Sequence, residues 1–467
     1  MRTRSNVRQV HIGSVVWLIA LLALGLALRI VVFPLGIFAA DARTFESWAA
    51  HLVSAPLDTF YASRSVDHLP GDLWILWAIG HVYRLVSPGF GASAVAAFGR
   101  GFGRGFGPGP VPVQQSDNFF TLLKLVPTLA DLGIGLMLYL IARKLRGPRA
   151  GLLAAGAYLL NPASIFLSGI WGQWDSVSAF AMVAAIWAIL ASPAWALPIL
   201  TYACLVKPQM ALLVPLALLA WWHQSGRLAV RLQRSIPPIL ASVAVFLAVD
   251  LPFDVGLPLM PTRWTILDRV QAAWAQYTAV SVSGFNFWKL VVGTSQGWSV
   301  SDSLPFIFGL SYQTWGTILL ATAVLFALIL YFRRPSQEMA LWTALAIMFS
   351  VFMLSTRIHE RYLLPALVLA LLVGAVTPRL RWLGVSLSAT YLANLYYVYA
   401  GAGRLGAGGF GQYGDLVVLV ASALNVLLFV AVLGAGAWLA GQPRSQRGDE
   451  MAVATSGEAP ARPSPAA

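Results

Sequence analysis

Four ionisable side chains crowd into the segment TRIHERY at 356–362, which carries Arg357, His359, Glu360 and Arg361. The segment lies between two long apolar runs, each suited to crossing a bilayer. Charged groups beside lipid are costly and usually serve a function. Two arginines that flank a histidine and a glutamate predict a site that binds an anion and orients a hydroxyl group. An interfacial histidine hydrogen-bonded to Glu360 is the structural alternative.

Three further polar segments are predicted to converge with this one on the outer face. Asp41 follows the first apolar run, Asp175 closes the segment WGQWD, and Lys207 precedes a proline in a short break. Gln173 and Trp174 give Asp175 a polar and aromatic surroundings suited to a sugar ring. Lys207 is predicted to bind phosphate. The structural alternatives are a helix-end carboxylate, a helix cap and a snorkelling lysine, respectively.

Other polar and aromatic residues are weaker candidates for substrate contacts. These are Glu46, Asp67, His68, Asn286, Trp288 and Tyr362. The aromatic residues around Asn286 either form an acceptor platform or belong to an interfacial belt. Lys124 and Asp131 are seven residues apart on one helical face, so we expect them to pair with each other or with a neighbour.

The composition indicates that lipid surrounds these candidates. Hydrophobic residues make up 58% of the chain and charged residues 10%, and the mean hydropathy is +0.73. The net charge of +13 comes from basic clusters between apolar runs. We place those clusters in the cytoplasm, as the positive-inside bias requires, and expect no nucleic-acid partner. The single cysteine, Cys204, excludes an internal disulfide and a cysteine-based metal site.

The apolar runs predict an all-α polytopic membrane protein of about twelve transmembrane helices, within a range of 11–14, with both termini in the cytoplasm. The predicted spans are 14–38, 118–142, 150–169, 176–192, 195–206, 209–222, 236–251, 307–332, 337–355, 362–377, 382–400 and 415–440. The first is too long for a signal-peptide core and is expected to be retained. The fifth and sixth are short, which predicts half-helices that meet at Lys207-Pro208-Gln209.

One transmembrane domain is predicted over 1–440, followed by a disordered cytoplasmic tail at 441–467. Its long outer loops are 38–117, which holds an interfacial helix at 72–86, and 252–306. If 72–86 is instead a span, one downstream helix must be re-entrant. The glycine-rich stretch 89–109 lacks the GK[ST] ending of a nucleotide site and is predicted to be a flexible loop.

Several of these segments together resemble the GT-C glycosyltransferases. They are the acidic residue after the first span, DHLPGDLW, NPASIFLSGIWGQWDS, LVKPQ and TRIHERYLLPAL. The similarity covers 14–397 and is greatest to bacterial mannosyltransferase-like proteins related to the enzyme that adds the second mannose of glycosylphosphatidylinositol anchors. DHLPGDLW departs from the usual Tyr-Pro-Pro pattern, which leaves the roles of Asp67 and His68 open.

The resemblance implies transfer of a hexose, with mannose expected, from a polyprenyl-phosphate-linked donor to a lipid, glycan or protein acceptor outside a bacterial plasma membrane. Asp41 would be the base of an inverting displacement, Lys207, Arg357 and Arg361 would bind the donor phosphate, and His359 and Glu360 would position the donor. Asp175 would orient the acceptor or, with Asp41, bind a divalent metal such as Mg²⁺ or Mn²⁺. A transporter of lipid-linked saccharide and a non-catalytic envelope-assembly protein are the rival hypotheses.

Overall fold

A computed structural model describes residues 2–63, 66–91, 110–111, 118–293, 300–405 and 416–442. This part of the chain contains α1 Arg2–Val32, α2 Ala39–Ser54, α3 Phe60–Ser63, α4 Pro70–Arg84, α5 Asn118–Arg146, α6 Pro148–Leu159, α7 Pro162–Ile165, α8 Asp175–Ala191, α9 Ala196–Val206, α10 Val214–Trp222, α11 Leu228–Asp250, α12 Ile266–Ala275, α13 Phe287–Val292, α14 Tyr312–Arg333, α15 Gln337–Leu354, α16 Leu364–Val376, α17 Arg381–Leu405 and α18 Leu416–Gly441. Strands are limited there to β1 Ile37–Phe38, β2 Pro110–Val111, β3 Val255–Gly256 and β4 Trp264–Thr265, in two small sheets.

The chain is an all-α polytopic membrane protein, as the apolar runs predict. Within the described residues, 6 helices are long and apolar enough to span a membrane, and a bent pair of helices makes up to 7. The 6 are Gly13–Leu35, Asn118–Arg146, Leu228–Phe253, Tyr312–Arg333, Gln337–Leu354 and Leu416–Gly441. Every one of the predicted spans overlaps helical residues, but several of these helices are short. The number of about twelve crossings therefore stays a prediction.

Burial separates central helices from peripheral ones. α15 and α16 are apolar on all sides and buried almost throughout, which is typical of helices at the centre of a bundle. In contrast, only 17% of the most apolar window is buried in the spans Gly13–Leu35 and Leu228–Phe253. Their exposed leucine, valine and tryptophan side chains suit contact with lipid. The segment 356–362 joins the two central helices.

Proline interrupts the helical structure at two places, one inside a predicted span and one between two predicted half-helices. The run 150–169, predicted as one helix, bends by 45° between Pro148–Leu159 and Pro162–Trp171, where Asn161 caps the second part through the Ala163 N–H. The prediction of a continuous helix there was wrong. The predicted break at Lys207 is confirmed, because α9 ends at Val206 and a 3₁₀ turn follows over Pro208–Leu213.

Both predicted outer loops contain short helices. The first holds α2, α3 and α4, and α4 has 15 residues, fewer than a span normally needs. Its position in the interface stays a prediction. The second holds α12, α13, β3 and β4. The glycine-rich stretch from 92 onward and the tail from 443 lie outside the described residues, so neither prediction is tested.

Candidate functional site

Asp41 lies half-buried in the first turn of α2 and receives two side-chain hydrogen bonds. Gln173 Nε2 donates to its Oδ2, and Trp171 Nε1 lies 3.4 Å from the same oxygen. Burial raises the pKa of Asp41 above its usual value of 3.8, the positive charge of Arg361 opposes that shift, and Glu360 and Asp67 add to it. Both of these contacts are made to Oδ2, and Oδ1 accepts no hydrogen bond from the described residues. A carboxylate with a raised pKa and one such oxygen suits a general base.

Backbone geometry brings Gln173 to Asp41. A π-helical turn over Phe166–Trp171 ends at Gly172, whose φ of 83° lies in the left-handed region that glycine tolerates best. The next residue can then turn back toward α2. A β-carbon on Gly172 would also approach the Lys124 side chain to 3.4 Å.

Lys124 is hydrogen-bonded to the segments that lead to Asp41 and to Gln173. Its fully buried ammonium donates to the Phe33 carbonyl at 2.7 Å, to the Gly36 carbonyl, and to the Gly169 carbonyl at 2.9 Å. The first two carbonyls precede Asp41 in the chain, and the third precedes Gln173. Three acceptors satisfy the three donors of an ammonium. Lys124 therefore holds together the segment that precedes Asp41 and the segment that precedes Gln173.

Asp175 joins two cations at the start of α8. Lys207 Nζ pairs with Oδ1, and Arg361 Nε lies 3.6 Å from Oδ2. The Lys207 ammonium also lies 4.3 Å from the centre of the Tyr362 ring, at a cation–π distance. The break after α9 and the turn before α16 therefore meet at one carboxylate. Lys207, Asp175, Arg361 and Tyr362 are together in the structure, as predicted.

Within the described residues, the polar contacts of the Arg361 guanidinium are all long, and its carbon lies 5.6 Å from the centre of the Tyr362 ring. Its guanidinium lies 3.6 Å from Asp175, 3.5 Å from Glu360 and 3.5 Å from His359 Nδ1. Charge-assisted hydrogen bonds are typically about 2.7–2.9 Å long. Burial lowers the pKa of Arg361, but the surrounding negative charges, led by Glu360, outweigh that effect and raise it, so the group stays charged. A half-buried cation with unused donors suits an anionic ligand.

His359 presents one ring nitrogen without a partner. Its ring packs against Tyr277 at 4.6 Å and against Tyr362 at 5.5 Å between centroids. Burial, aided by the charges of Arg361 and Lys207, holds the pKa of His359 well below 6.5, so the imidazole is neutral. Because arginine can only donate, Nδ1 facing Arg361 must be the acceptor, which leaves the proton on Nε2. That Nε2 has no hydrogen-bond partner within the described part of the chain.

Glu360 is buried behind Arg361 and accepts a hydrogen bond from Ser283 Oγ. Asn394 in turn donates to the Ser283 carbonyl at 2.9 Å, and the Gly284 N–H donates to the Ile358 carbonyl at 3.0 Å. The predicted outer loop 252–306 thus braces 356–362 from one side. The carboxylate positions Arg361 and does not face an open surface.

Arg357 does not join this cluster. It forms a bidentate pair with the fully buried Asp302, at 2.7 and 2.9 Å, and donates to the Trp274 carbonyl. Its φ of 65° lies in the left-handed region, which is uncommon for a residue other than glycine. All three of its guanidinium nitrogens are engaged by short bonds. The expected phosphate contact at Arg357 is therefore opposed by its geometry.

Three predicted substrate contacts are instead packing residues. Asn286 is fully buried and donates to the Phe352 carbonyl at 3.1 Å, and Trp288 is fully buried and donates to the Leu354 carbonyl at 2.7 Å. Trp174 is 4% exposed, donates to the Leu123 carbonyl and stacks on Phe45. Their polar atoms are satisfied by backbone, so none of the three offers a face to a sugar.

Three other predicted contacts, Glu46, Asp67 and His68, lie on the first predicted outer loop. His68 Nδ1 lies 2.8 Å from Asp72 Oδ2, and although burial opposes a charge on the ring, this hydrogen bond and the charge of Asp67 raise the pKa of His68. Asp67 is close enough for its charge to act on Asp41 as well. Glu46 is half-buried five residues after Asp41 on α2, and its role stays a prediction.

Asp131 pairs with Arg29, not with Lys124. Arg29 Nε lies 2.8 Å from Asp131 Oδ2, both side chains are fully buried, and Tyr158 Oη donates to Oδ1. The alternative expectation, a pair with a neighbour, was right for Asp131. Arg29 was overlooked, although a charge inside the first apolar run is itself a signal. Asp302, Ser283 and Asn394 were overlooked because nothing in a single sequence marks their partners.

A divalent metal does not suit the carboxylates proposed for it. Among the residues that the structure describes, no group of three or more His, Cys, Asp and Glu side chains could hold a metal ion. Asp175 is already neutralised by Lys207 and Arg361. Asp41 uses an oxygen to accept from Gln173.

No protein-family model and no curated protein matches this chain. Among solved structures, ArnT from Cupriavidus metallidurans bound to undecaprenyl phosphate is similar at 17% identity and TM-score 0.43, over 90% of this chain and 77% of that one. The Archaeoglobus fulgidus oligosaccharyltransferase tethered to an acceptor peptide is similar at 13% identity and TM-score 0.44, over 93% of this chain and 57% of that one. The oligosaccharyltransferase AglB from Archaeoglobus fulgidus, in complex with an inhibitory peptide and a dolichol-phosphate, is similar at 13% identity and TM-score 0.37, over 95% of this chain and 58% of that one. This chain thus spans little more than half of the archaeal chains, and similarity at these TM-scores is too weak to assign a function.

Proposed function

We propose that this protein is a GT-C-type membrane glycosyltransferase that moves a hexose, with mannose the first choice, from a polyprenyl-phosphate-linked donor to a lipid, glycan or protein acceptor. One observation carries the proposal. A half-buried carboxylate with a raised pKa, Asp41, shares a cluster with Arg361, a cation whose donors lack short hydrogen bonds. Base and anion binder are the two groups that transfer from a sugar phosphate requires.

The reaction is a single displacement with inversion at the anomeric carbon. The acceptor hydroxyl oxygen bonds to that carbon while its proton passes to the Asp41 carboxylate. The bond from the anomeric carbon to the phosphate oxygen breaks, and its electron pair leaves with the phosphate. Lys207 and Arg361 stabilise the negative charge of the leaving phosphate, whose low basicity requires no acid.

The neighbouring groups orient the donor. Neutral His359 offers its Nε2 proton to a sugar hydroxyl or phosphate oxygen. Asp175 holds Lys207 and Arg361 side by side, so both cations can meet one phosphate. The donor site is proposed to lie on the outer face of a bacterial plasma membrane, where the topology predicted from the basic clusters puts 356–362.

The test is sugar transfer by purified protein in lipid, supplied with polyprenyl-phosphate-linked mannose, glucose or arabinose and a membrane extract as acceptor source. Asp41→Asn should lower transfer by about 10²–10⁴-fold, the usual contribution of a general base. Asp58→Asn, at an exposed position outside the cluster, is the matched control and should transfer normally. Full activity of Asp41→Asn would eliminate the proposed base, and no transfer by the unaltered protein from any donor would favour the transporter.

A further inference from the structure

A polar cavity of ≈ 240 Å³, separate from the Asp41 site, lies where several helices begin or end. Its charged lining residues are Arg146 at the end of α5, Arg334 just after α14, Glu338 in the first turn of α15 and Arg379 in the turn before α17, and Trp438 of α18 lines it too. At ~30 Å³ per water molecule, this is room for about eight waters, enough for a phosphodiester group.

This cavity is at the opposite end of the bundle from Asp41. α15 begins at the cavity and ends just before 356–362, and α16 begins just after that segment and ends just before Thr377, which lines the cavity. The 18 residues of α15 measure about 27 Å at 1.5 Å per residue. The hydrocarbon layer of a bilayer is about 30 Å thick. The two polar sites therefore lie near opposite membrane surfaces.

The residues that line the cavity carry excess positive charge, and hydrogen bonds fix one of its arginines. Glu338 offsets Arg146, with which it forms a partly exposed ion pair. Arg334 donates to the carbonyls of Leu439 at 2.5 Å and Ala440 at 3.2 Å, which fixes the last turn of α18 against α14. Arg379 is exposed, and its guanidinium carbon lies 5.7 Å from the Trp438 ring centre. The charged residues that line the cavity, three arginines and one glutamate, carry a formal net charge of +2, and the Trp438 ring borders them.

Apolar surface adjoins this charge, which favours a lipid over a free anion. Trp382 and Val385, 47% and 69% exposed, follow Arg379 on α17, and Phe332, 52% exposed, precedes Arg334 on α14. Acyl chains can lie on such side chains while a phosphate enters the cavity. Basic pockets between transmembrane helices are known to bind anionic headgroups. We propose that this cavity binds the phosphodiester headgroup of an anionic phospholipid.

The test compares two arginines of one turn. Arg379 lines the cavity, whereas Arg381, two residues on and also exposed, does not. Native mass spectrometry would measure retention of phosphatidylglycerol by the full-length protein carrying Arg379→Gln or Arg381→Gln. We expect retention to fall about fivefold or more in Arg379→Gln and to stay unchanged in Arg381→Gln, because only the first removes a cavity donor.

Three results would overturn the proposal. Equal losses in both variants would mean that lipid is attracted by general surface charge. Equal retention of phosphatidylcholine and phosphatidylglycerol by the unaltered protein would mean that the cavity does not select anions. Displacement of bound phosphatidylglycerol by millimolar inorganic phosphate would make it a site for free phosphate. Equal unfolding temperatures of the two variants in phosphatidylcholine nanodiscs would establish that a selective loss is a binding effect.

Discussion

A fully buried arginine and a half-buried one lie in opposite kinds of surroundings in this protein. Arg29, inside the membrane-spanning α1, bonds at 2.8–3.1 Å to Asp131, Ser168, Ser164 and the carbonyls of Gly25 and Leu159. Arg361 has its three described side-chain contacts at 3.5–3.6 Å. A cation whose three guanidinium nitrogens all donate short hydrogen bonds belongs to the packing of the fold, whereas one with only long contacts is suited to a ligand.

The same contrast separates Arg357 from Arg361, although they are four residues apart in one segment. Arg357 ties α12 to the buried Asp302 through short hydrogen bonds. Arg361 faces Asp175 and His359 at longer distances. Charge and burial are similar at the two positions. The difference lies in how completely the guanidinium is hydrogen-bonded.

Among the substitutions that test the comparison of the arginines, the largest effect should come from Arg361→Gln. The substitution removes the cation proposed to stabilise the leaving phosphate, so transfer should fall by about 10²–10³-fold. Arg357→Gln is the matched control, and it should lower the unfolding temperature while the folded protein keeps most of its turnover. Turnover per folded molecule in nanodiscs, measured beside thermal unfolding, distinguishes the two. Similar turnover in both variants would end the distinction between the arginines.

Asp131→Asn should have the converse effect, because it should lower the stability of the protein and leave transfer by the folded molecules unchanged. It leaves the Arg29 charge buried without its carboxylate, which typically lowers the free energy of unfolding by ~3–5 kcal/mol. Glu338→Gln breaks the exposed pair with Arg146 and should lower it by at most ~1 kcal/mol. Denaturant unfolding in detergent measures both. If the Asp131→Asn protein were stable but had lost transfer, the Arg29–Asp131 network would have a role in the reaction and not in the stability of the fold.

The smallest effect is a shift of the pH profile. Burial raises the pKa of Asp41 above 3.8, so transfer should fail on acidification at a pH above that value, as the base becomes protonated. Arg361 lowers this pKa and Glu360 raises it. The acid limb of kcat/KM should therefore move to higher pH in Arg361→Gln and to lower pH in Glu360→Gln. In Asp131→Asn it should not move, and a shift there would show that the two charge groups are coupled.

The helices and the broken run at Lys207 could be predicted because apolar length and proline act locally in the sequence. The convergence of Asp41, Asp175, Lys207 and Arg361 could also be predicted, because each follows the end of an apolar run. The role of Arg357 could not, since its partner Asp302 lies 55 residues earlier in the chain. A sequence records which side chains are charged but not which are already satisfied.

Asn286 and Trp288 illustrate the same limit. A polar side chain and an aromatic one in a loop are typical of a binding surface, yet both donate to carbonyls at the end of α15. Their hydrogen-bond partners are backbone atoms, which have no residue type to recognise. Arg29 is different, because an arginine within the first apolar run was visible in the sequence as a costly charge.

Lys124 secures the Asp41 region by hydrogen bonds to three backbone carbonyls, and its ammonium also lies 5.5 Å from the centre of the Phe33 ring. Every residue type carries a carbonyl, so substitutions at Phe33, Gly36 or Gly169 leave the three acceptors in place as long as the chain keeps its path. The carbonyl of Phe33 is thus kept by any side chain there, whereas a β-carbon on Gly169 would approach Val32 to 2.7 Å, and the lysine cannot be exchanged for a residue with fewer donors. Each hydrogen bond near the proposed base thus depends on the residue type of its donor, Lys124, but only on the chain path at its acceptor.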